Sequence, residues 1–222
     1  WQISQYSPEE TKNFNLPPEK VVEYAKKNNC LSIAYTYSEP VNFYEYMFDT
    51  SKIAKQNKIK NIVHTSGFIN AQPLEQLCPY IDAVNVDLKG FNEEYYRNIC
   101  QGDLQTILNT LKIFKKHKIW IEITNLILPG YNDKPEEIEK MCIWIKENLG
   151  DYVPLHFSRF YPMYQMKFLP STPVSTLEEA YKIAKKVGLK YVYIGNVPGT
   201  KYENTYCPYC DKLLIKRVGF SV

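Results

Sequence analysis

The chain has 222 residues, 45% of them hydrophobic and 23% charged, a globular composition long enough for one sizeable core. Its 27 lysines and arginines against 24 aspartates and glutamates leave a net charge of +3, too small to point to nucleic acid as a partner. No apolar run approaches the roughly 18 residues of a membrane span, and no signal peptide is read, so the expectation is no membrane partner.

Pro17 and Pro18 open a helix to about Asn29, with Val21, Val22 and Ala25 on its apolar face. A strand follows at Leu31–Thr36, then a helix from about Val41 to Gln56. Asn61–Thr65 reads as a short strand and Pro73–Cys78 as a short helix. Ala83–Leu88 alternates Val84, Val86 and Leu88 as a buried strand does. Leu104–His117 is a helix with Ile107, Leu108, Leu111 and Phe114 on one face; its Lys112, Lys115, Lys116 and Lys118 read as a solvated face. Ile119–Leu128 is a long strand, and Pro135–Leu149 a helix whose Glu136 and Glu137 suit its positive start. Leu155–Phe160 is a strand, Thr176–Val187 a helix, and Tyr191–Ile194 a last strand.

Six strands alternating with helices predict an α/β fold of parallel units, coiled right-handed into a barrel or an open sheet. The pattern predicts one domain over residues 1–195 and a tail over 196–222. Gly67, Gly90, Gly130 and Gly195 each fall just past a strand, together with Ser38 and Glu39, Thr65 and Ser66, Asp87 and Lys89, Arg159 and Asn196. The carboxyl ends of parallel strands form a ligand-binding rim, so polar residues collected there predict a site. A plainer reading is that strand ends are loops and loops are polar; five such clusters in register favour the site.

Asp87 and Lys89 stand two apart on a strand and face the same way, as do Glu122, Thr124 and Leu126. The plainer alternative for Asp87 and Lys89 is an internal ion pair that shapes the barrel, for Glu39 a helix cap, for His64 a structural hydrogen bond, and for Arg159 an outward-facing side chain. Of six cysteines, Cys30, Cys78, Cys100 and Cys142 are isolated and read as small buried apolar residues. Nothing suggests a secreted disulfide framework, so a reducing cytoplasm is expected. Cys207-Pro208-Tyr209-Cys210 has the spacing of a metal knuckle, although one pair is half a site and free thiols are the alternative.

The stretches WQIS at Trp1–Ser4, AYTYSEP at Ala34–Pro40, VNVDLKGF at Val84–Phe91, EITNLILPGYND at Glu122–Asp133, LHFSRFYP at Leu155–Pro162 and GNVPGTKYENTYCPYC at Gly195–Cys210 carry a resemblance. The chain resembles the radical S-adenosylmethionine (SAM) enzymes related to pyruvate formate-lyase-activating enzyme, most closely the AmmeMemoRadiSam-system branch. The resemblance implies a partial (β/α)6 barrel of the radical SAM type, here lacking its N-terminal segment and first strand. It implies SAM and a [4Fe-4S] cluster as cofactors, with cluster cysteines in a CxxxCxxC loop expected upstream of residue 1. The start at Trp1 rather than Met agrees with an N-terminal segment processed, removed or left out.

By the same resemblance, Ser38 and Glu39 stand where relatives place a motif that meets the SAM ammonium, with Tyr37 and Ser38 in place of its glycines. Thr65 and Ser66 would hold the ribose or carboxylate, Lys89 the carboxylate, and Asp87 either Lys89 or the substrate. Thr124 stands where the activating enzyme has an arginine, Leu126 where the adenine packs, and His156 where a histidine approaches the nucleoside. Cys207 and Cys210 would hold zinc or a second iron–sulfur site. The implied activity is reductive SAM cleavage to a 5′-deoxyadenosyl radical and hydrogen abstraction from an unknown substrate, which the activating enzyme suggests is a protein. Flavodoxin or ferredoxin would supply the electron. The alternative is a SAM- or metal-binding regulatory module without a cluster.

Overall fold

A computed structural model describes residues 6–219 and 221; the WQIS motif at Trp1–Ser4 lies outside the described residues. Six parallel strands form one sheet: β1 (Ser32–Tyr35), β2 (Lys60–Thr65), β3 (Ala83–Asp87), β4 (Trp120–Ile127), β5 (Leu155–Arg159) and β6 (Val192–Gly195). They lie in sequence order, so β1 and β6 are the two edges and the barrel stays open. This is the α/β partial barrel that the alternation of strands and helices predicts.

Period-two patterning decides which face is which. In β3, Val84 and Val86, with Leu88 beyond, are at most 1% exposed and pack under the helices, whereas Asn85, Asp87 and Lys89 face inward. In β4, Ile121, Ile123 and Ile127 are buried, while Trp120, Glu122, Thr124 and Leu126 face inward. The main core is therefore the layer between the sheet and its helices.

The helices are α1 (Pro18–Lys27), α2 (Tyr44–Gln56), α3 (Ala71–Leu77), α4 (Glu93–Tyr95), α5 (Leu104–Lys116), α6 (Pro135–Asn148) and α7 (Val174–Val187). Asp103 caps α5, its carboxylate accepting the Thr106 N–H at 2.7 Å and hydroxyl at 2.8 Å. Lys115 and Lys116 close the same helix at its negative end. α3 starts two residues before Pro73, because a proline inside the first turn removes an N–H that has no intrahelical partner.

Three features depart from the sequence reading. Glu93–Cys100, left unassigned there, is a three-residue helix running into one π-turn, too short for a periodic signal. The tail carries an antiparallel hairpin, β7 (Thr205–Tyr206) and β8 (Leu213–Ile215). Cys78 and Cys142 are buried as expected, but Cys30 is exposed and Cys100 only partly buried. Cys30 lies past the end of α1, where its N–H closes the helix on the Ala25 carbonyl at 2.8 Å and Asn29 takes a φ of 53°. That position belongs to the cap and not to the apolar face.

Candidate functional site

The register aligns the inward side chains in rows. Asp87 pairs with Thr124, Thr124 with His156, and His156 with Tyr193, a line across four strands from the carboxyl end of β3 through the middle of β4 to the amino halves of β5 and β6. One step lower, His64 pairs with Asn85, and Asn85 with Glu122. Four groups of contacts stand on these rows.

The first centres on Glu39, just after β1. Its carboxylate accepts the Thr65 hydroxyl at 2.6 Å, the Ser66 N–H at 2.7 Å, the Ser66 hydroxyl at 2.6 Å and the Val41 N–H at 3.2 Å. Glu39 thus caps the turn entering α2 and also straps the β1 loop to the β2 loop. Tyr37 and Ser38 before it have φ of 58° and 49°, the left-handed backbone that glycines would take without strain. Gly67 ends the strap: its φ is +76°, its N–H reaches Thr65 Oγ1 at 3.0 Å, and an added Cβ would sit 3.0 Å from Val86 Cγ1. Glycine suits that turn because its backbone is left-handed and a Cβ would press on the Val86 side chain.

The second group is Asp87, which accepts from Lys89 Nζ at 2.8 Å and meets His64 Nε2 at 3.2 Å. Burial works to raise the Asp87 pKa, but the His64 hydrogen bond and the Lys89 charge outweigh it and hold the carboxyl below its ordinary value. The hydrogen bond to Asp87 raises the His64 pKa in turn. The Lys89 backbone is pinned from both sides: its N–H donates to Tyr96 Oη at 2.9 Å, and its carbonyl accepts Asn132 Nδ2 at 2.5 Å. Tyr96 is 1% exposed, and burial pushes its phenol far above the usual range. Asn132 also donates to the Leu126 carbonyl at 2.8 Å and accepts the Leu128 N–H at 2.7 Å, and Asn125 donates to the Leu88 carbonyl at 2.7 Å. These two buried asparagines tie the β3 rim to β4.

Thr124 donates to Asn85 Oδ1 at 3.0 Å, and Leu126 presents an exposed apolar side chain at the end of β4. In the fourth group, His156 Nε2 meets Glu122 Oε2 at 2.8 Å, and the imidazole stacks on Tyr193 with ring centroids 5.0 Å apart. The His156 hydrogen bond holds the Glu122 carboxyl below its ordinary value. Arg217, from the tail, lies over the other part of this cluster, 5.7 Å from the Tyr193 ring, and donates to Thr205 Oγ1 at 2.6 Å. A cavity of about 850 Å3 opens here between β4–β6 and the tail hairpin, bordered by Trp120, Glu122, His156, Tyr193, Asn196 and Arg217.

The structure therefore joins Glu39, Thr65 and Ser66 in one cluster and Asp87 with Lys89 in a second. Thr124 and His156 stand on the same row as Asp87, and Leu126 lies beyond it. Ser38 contributes backbone to the first cluster. The inward ion pair of Asp87 and Lys89 exists, extended by His64. Arg159 is taken up structurally, donating to the Thr172 carbonyl at 2.8 Å and to Tyr161 Oη at 3.1 Å. Cys207 and Cys210 lie apart from the rim, in the hairpin turn. Among the described residues no group of three His, Cys, Asp or Glu side chains is placed to hold a metal ion. A three-cysteine cradle for an iron–sulfur cluster is therefore not formed by residues 6–219 and 221. Tyr96, Asn132, Tyr193 and Arg217 were not singled out from sequence; Asn132 sits in the LPGYND stretch, which was a signal.

A parallel, open α/β barrel whose polar side chains gather inside and toward the carboxyl ends of the strands defines a class of small-molecule-binding enzyme scaffold. The Radical SAM superfamily model matches residues 3–144, and the chain belongs to that family. Uncharacterized protein MJ0808 of Methanocaldococcus jannaschii is 47% identical over all of this chain, which spans 66% of that relative's length. A domain of pyruvate-formate lyase-activating enzyme from Bacteroides vulgatus superposes with a TM-score of 0.65 at 14% identity, over 74% of this chain and 99% of the domain. Streptococcus suis SuiB bound to S-adenosylmethionine superposes at 0.66 with 13% identity, over 90% of this chain and 49% of SuiB. Both structures share the fold.

Proposed function

We propose that this chain is the SAM-binding part of a radical SAM enzyme, with the cofactor held along the row from Glu39 to His156. The observation that carries this reading is the inward face of β3–β5, where Asp87, Thr124 and His156 share one register row and Lys89 and the exposed Leu126 stand one inward position further along β3 and β4. That donor set fits SAM, whose amino acid end needs both charges and whose nucleoside needs hydroxyl partners and an apolar wall. Lys89, placed by Tyr96 and Asn132, would take the SAM carboxylate, and Asp87 holds its ammonium in place. Glu39, Thr65 and Ser66 form the wall on the β1 and β2 side, and Thr124, Leu126 and His156 the wall on the nucleoside side. Because Glu39 already accepts four hydrogen bonds, its first task is to set the shape of the Thr65–Ser66 loop.

A [4Fe-4S] cluster, if bound, would supply one-electron reducing chemistry to SAM, while Lys89, Asp87 and the Glu39 loop would bind and orient it. Residues 6–219 and 221 do not form the cluster's cradle. The cavity beside Glu122, His156 and Arg217 is where we place the substrate, which the resemblance to the activating enzyme suggests is a protein. Flavodoxin or ferredoxin would serve as reductant.

Calorimetry with SAM tests the first part: this chain should bind it, and Lys89→Ala and Asp87→Asn should each weaken binding about tenfold or more. With dithionite and SAM the chain alone should release no 5′-deoxyadenosine, whereas full-length protein reconstituted anaerobically should release it. SAM binding without cleavage in the full-length protein would favour a regulatory module.

A further inference from the structure

We infer that the cavity between β4–β6 and the C-terminal hairpin takes a monocarboxylate with a flat apolar body, its carboxylate read by Arg217; this rests on the placement of the substrate in that cavity and names its chemical class. At about 850 Å3 the cavity has the size of a small-molecule site. Trp120, Pro154, Tyr191, Tyr193, Val197 and Ile215 give it apolar walls. Trp120 is 56% exposed on the inward face of the sheet, an aromatic surface open to a ligand.

Arg217 supplies a positioned cation. Its Nη1 donates to the Glu203 carbonyl at 3.1 Å and to Thr205 Oγ1 at 2.6 Å, and its backbone N–H donates to Asn204 Oδ1 at 2.7 Å. Thr205 Oγ1 lies 3.0 Å from Tyr193 Oη, so the guanidinium is tied to β6 through that hydroxyl. All of these acceptors are neutral, and none of the ion pairs among the described residues includes Arg217. The side-chain contacts fall on Nη1, and the other N–H groups of the planar fork match a carboxylate.

The two carboxylates on the cavity wall are engaged elsewhere. Glu203 accepts the Gly199 N–H at 2.8 Å and the Gly219 N–H at 3.1 Å. Glu122 is engaged by His156 Nε2 at 2.8 Å and accepts Trp120 Nε1 at 3.2 Å. A cationic ligand therefore finds both acids already supplied with donors, whereas an anion finds a guanidinium with neutral partners only. The same two acids set the size of the ligand's charge. They line the cavity together with Arg217, so a dianion meets more net repulsion than a monoanion does.

A free aromatic acid and the end of a polypeptide chain both carry such a carboxylate. In calorimetry, full-length protein should bind naphthoate about tenfold more tightly than neutral naphthamide of the same shape. Acetyl-Ala-Ala-Phe acid against its C-terminal amide is the second arm. A preference for the acid in the first arm alone assigns a free acid, and in the second alone a chain end; a preference in both means that the cavity reads the carboxylate whatever carries it. Naphthyl phosphate should bind more weakly than naphthoate. Arg217→Gln should abolish the preference for the acid and leave naphthamide affinity within twofold, which shows that the cavity keeps its shape. The comparison of acid with amide in the parent protein needs no variant to fold. Equal affinity for acid and amide in both arms, tighter binding of the phosphate, or an acid preference that survives Arg217→Gln overturns the assignment. Displacement of naphthoate by SAM overturns it too, since the probe would then occupy the cofactor's carboxylate site. SAM affinity of the parent is read separately. An acid preference without SAM binding refutes the cofactor reading alone, and SAM binding without an acid preference refutes the role of Arg217 alone.

Discussion

Asn132→Ala is the most informative single change. Asn132 is 3% exposed and holds three backbone groups: the Leu128 N–H at 2.7 Å and the carbonyls of Leu126 at 2.8 Å and Lys89 at 2.5 Å. A hydrogen bond removed from the interior costs about 1 kcal/mol net, and more where the partner stays dry. Three bonds give a loss of ~3 kcal/mol. With a urea slope of ~3 kcal/mol/M for a chain this size, the unfolding midpoint should fall by about 1 M. Asn132→Asp is a sharper probe. It keeps the acceptor for Leu128 but turns a carboxylate toward two carbonyls, so the introduced group's pKa rises on folding. Its penalty should be small in acid and grow as pH rises above the ordinary carboxylate value of about 4. SAM binding should weaken in both variants, because the Lys89 carbonyl loses its anchor. A loss under ~1 kcal/mol for Asn132→Ala, or an Asn132→Asp protein as stable as the parent at neutral pH, would refute the reasoning.

Glu39→Gln should cost about 2 kcal/mol by urea unfolding, because an amide NH2 replaces one acceptor among four donors; a neutral result would show that the strap is loose. The Asp87 pKa is lowered and the His64 pKa raised, so the Asp87 contribution is present at neutral pH and lost as pH falls through its lowered value. The His64 contribution is present below about 6.5 and lost as pH rises through the raised value; NMR titration should place His64 above its ordinary midpoint, and Asp87→Asn should bring it down. Burial pushes the Cys78 and Cys142 thiols up to about 12, so in the native protein Ellman's reagent should spare both while exposed Cys30 and Cys210 react; early modification of Cys78 or Cys142 would contradict the packing. Tyr37→Gly should be neutral within ~0.5 kcal/mol, since it exchanges left-handed strain for chain entropy, whereas Tyr24→Gly inside α1 should cost about 1 kcal/mol; equal losses would mean that Tyr37 carries no strain.

The strands were legible because burial on one face leaves a period of two: Val84, Val86 and Leu88 mark β3, and the same alternation orients Asp87 and Lys89 inward. The strand-end clusters were legible because glycines and charged residues interrupt apolar runs. What the sequence did not disclose depends on register. Glu122 and His156 are 34 residues apart, and only the pairing of Thr124 with His156 brings them into contact. Asn125 and Asn132 carry no periodic signature, since their importance lies in which backbone groups they satisfy. The hairpin at Thr205–Ile215 escaped notice because its strands have two and three residues and bury little. Cys30 escapes the pattern because it stands three residues past the end of α1, beyond the Asn28 cap and the left-handed Asn29, where the helical period no longer sets which side is buried.

The order of the six strands has a consequence for how the chain comes off the ribosome. Each strand pairs with the one made just before it, and no pairing in the sheet waits for a distant segment. The separations between partners run from 21 residues, Ile62 with Ala83, to 37, Ala83 with Trp120. Loop closure over such spans differs by well under ~1 kcal/mol, so no single crossover is a bottleneck. The growing edge always finds its docking place already synthesised, and assembly can proceed vectorially from β1 to β6.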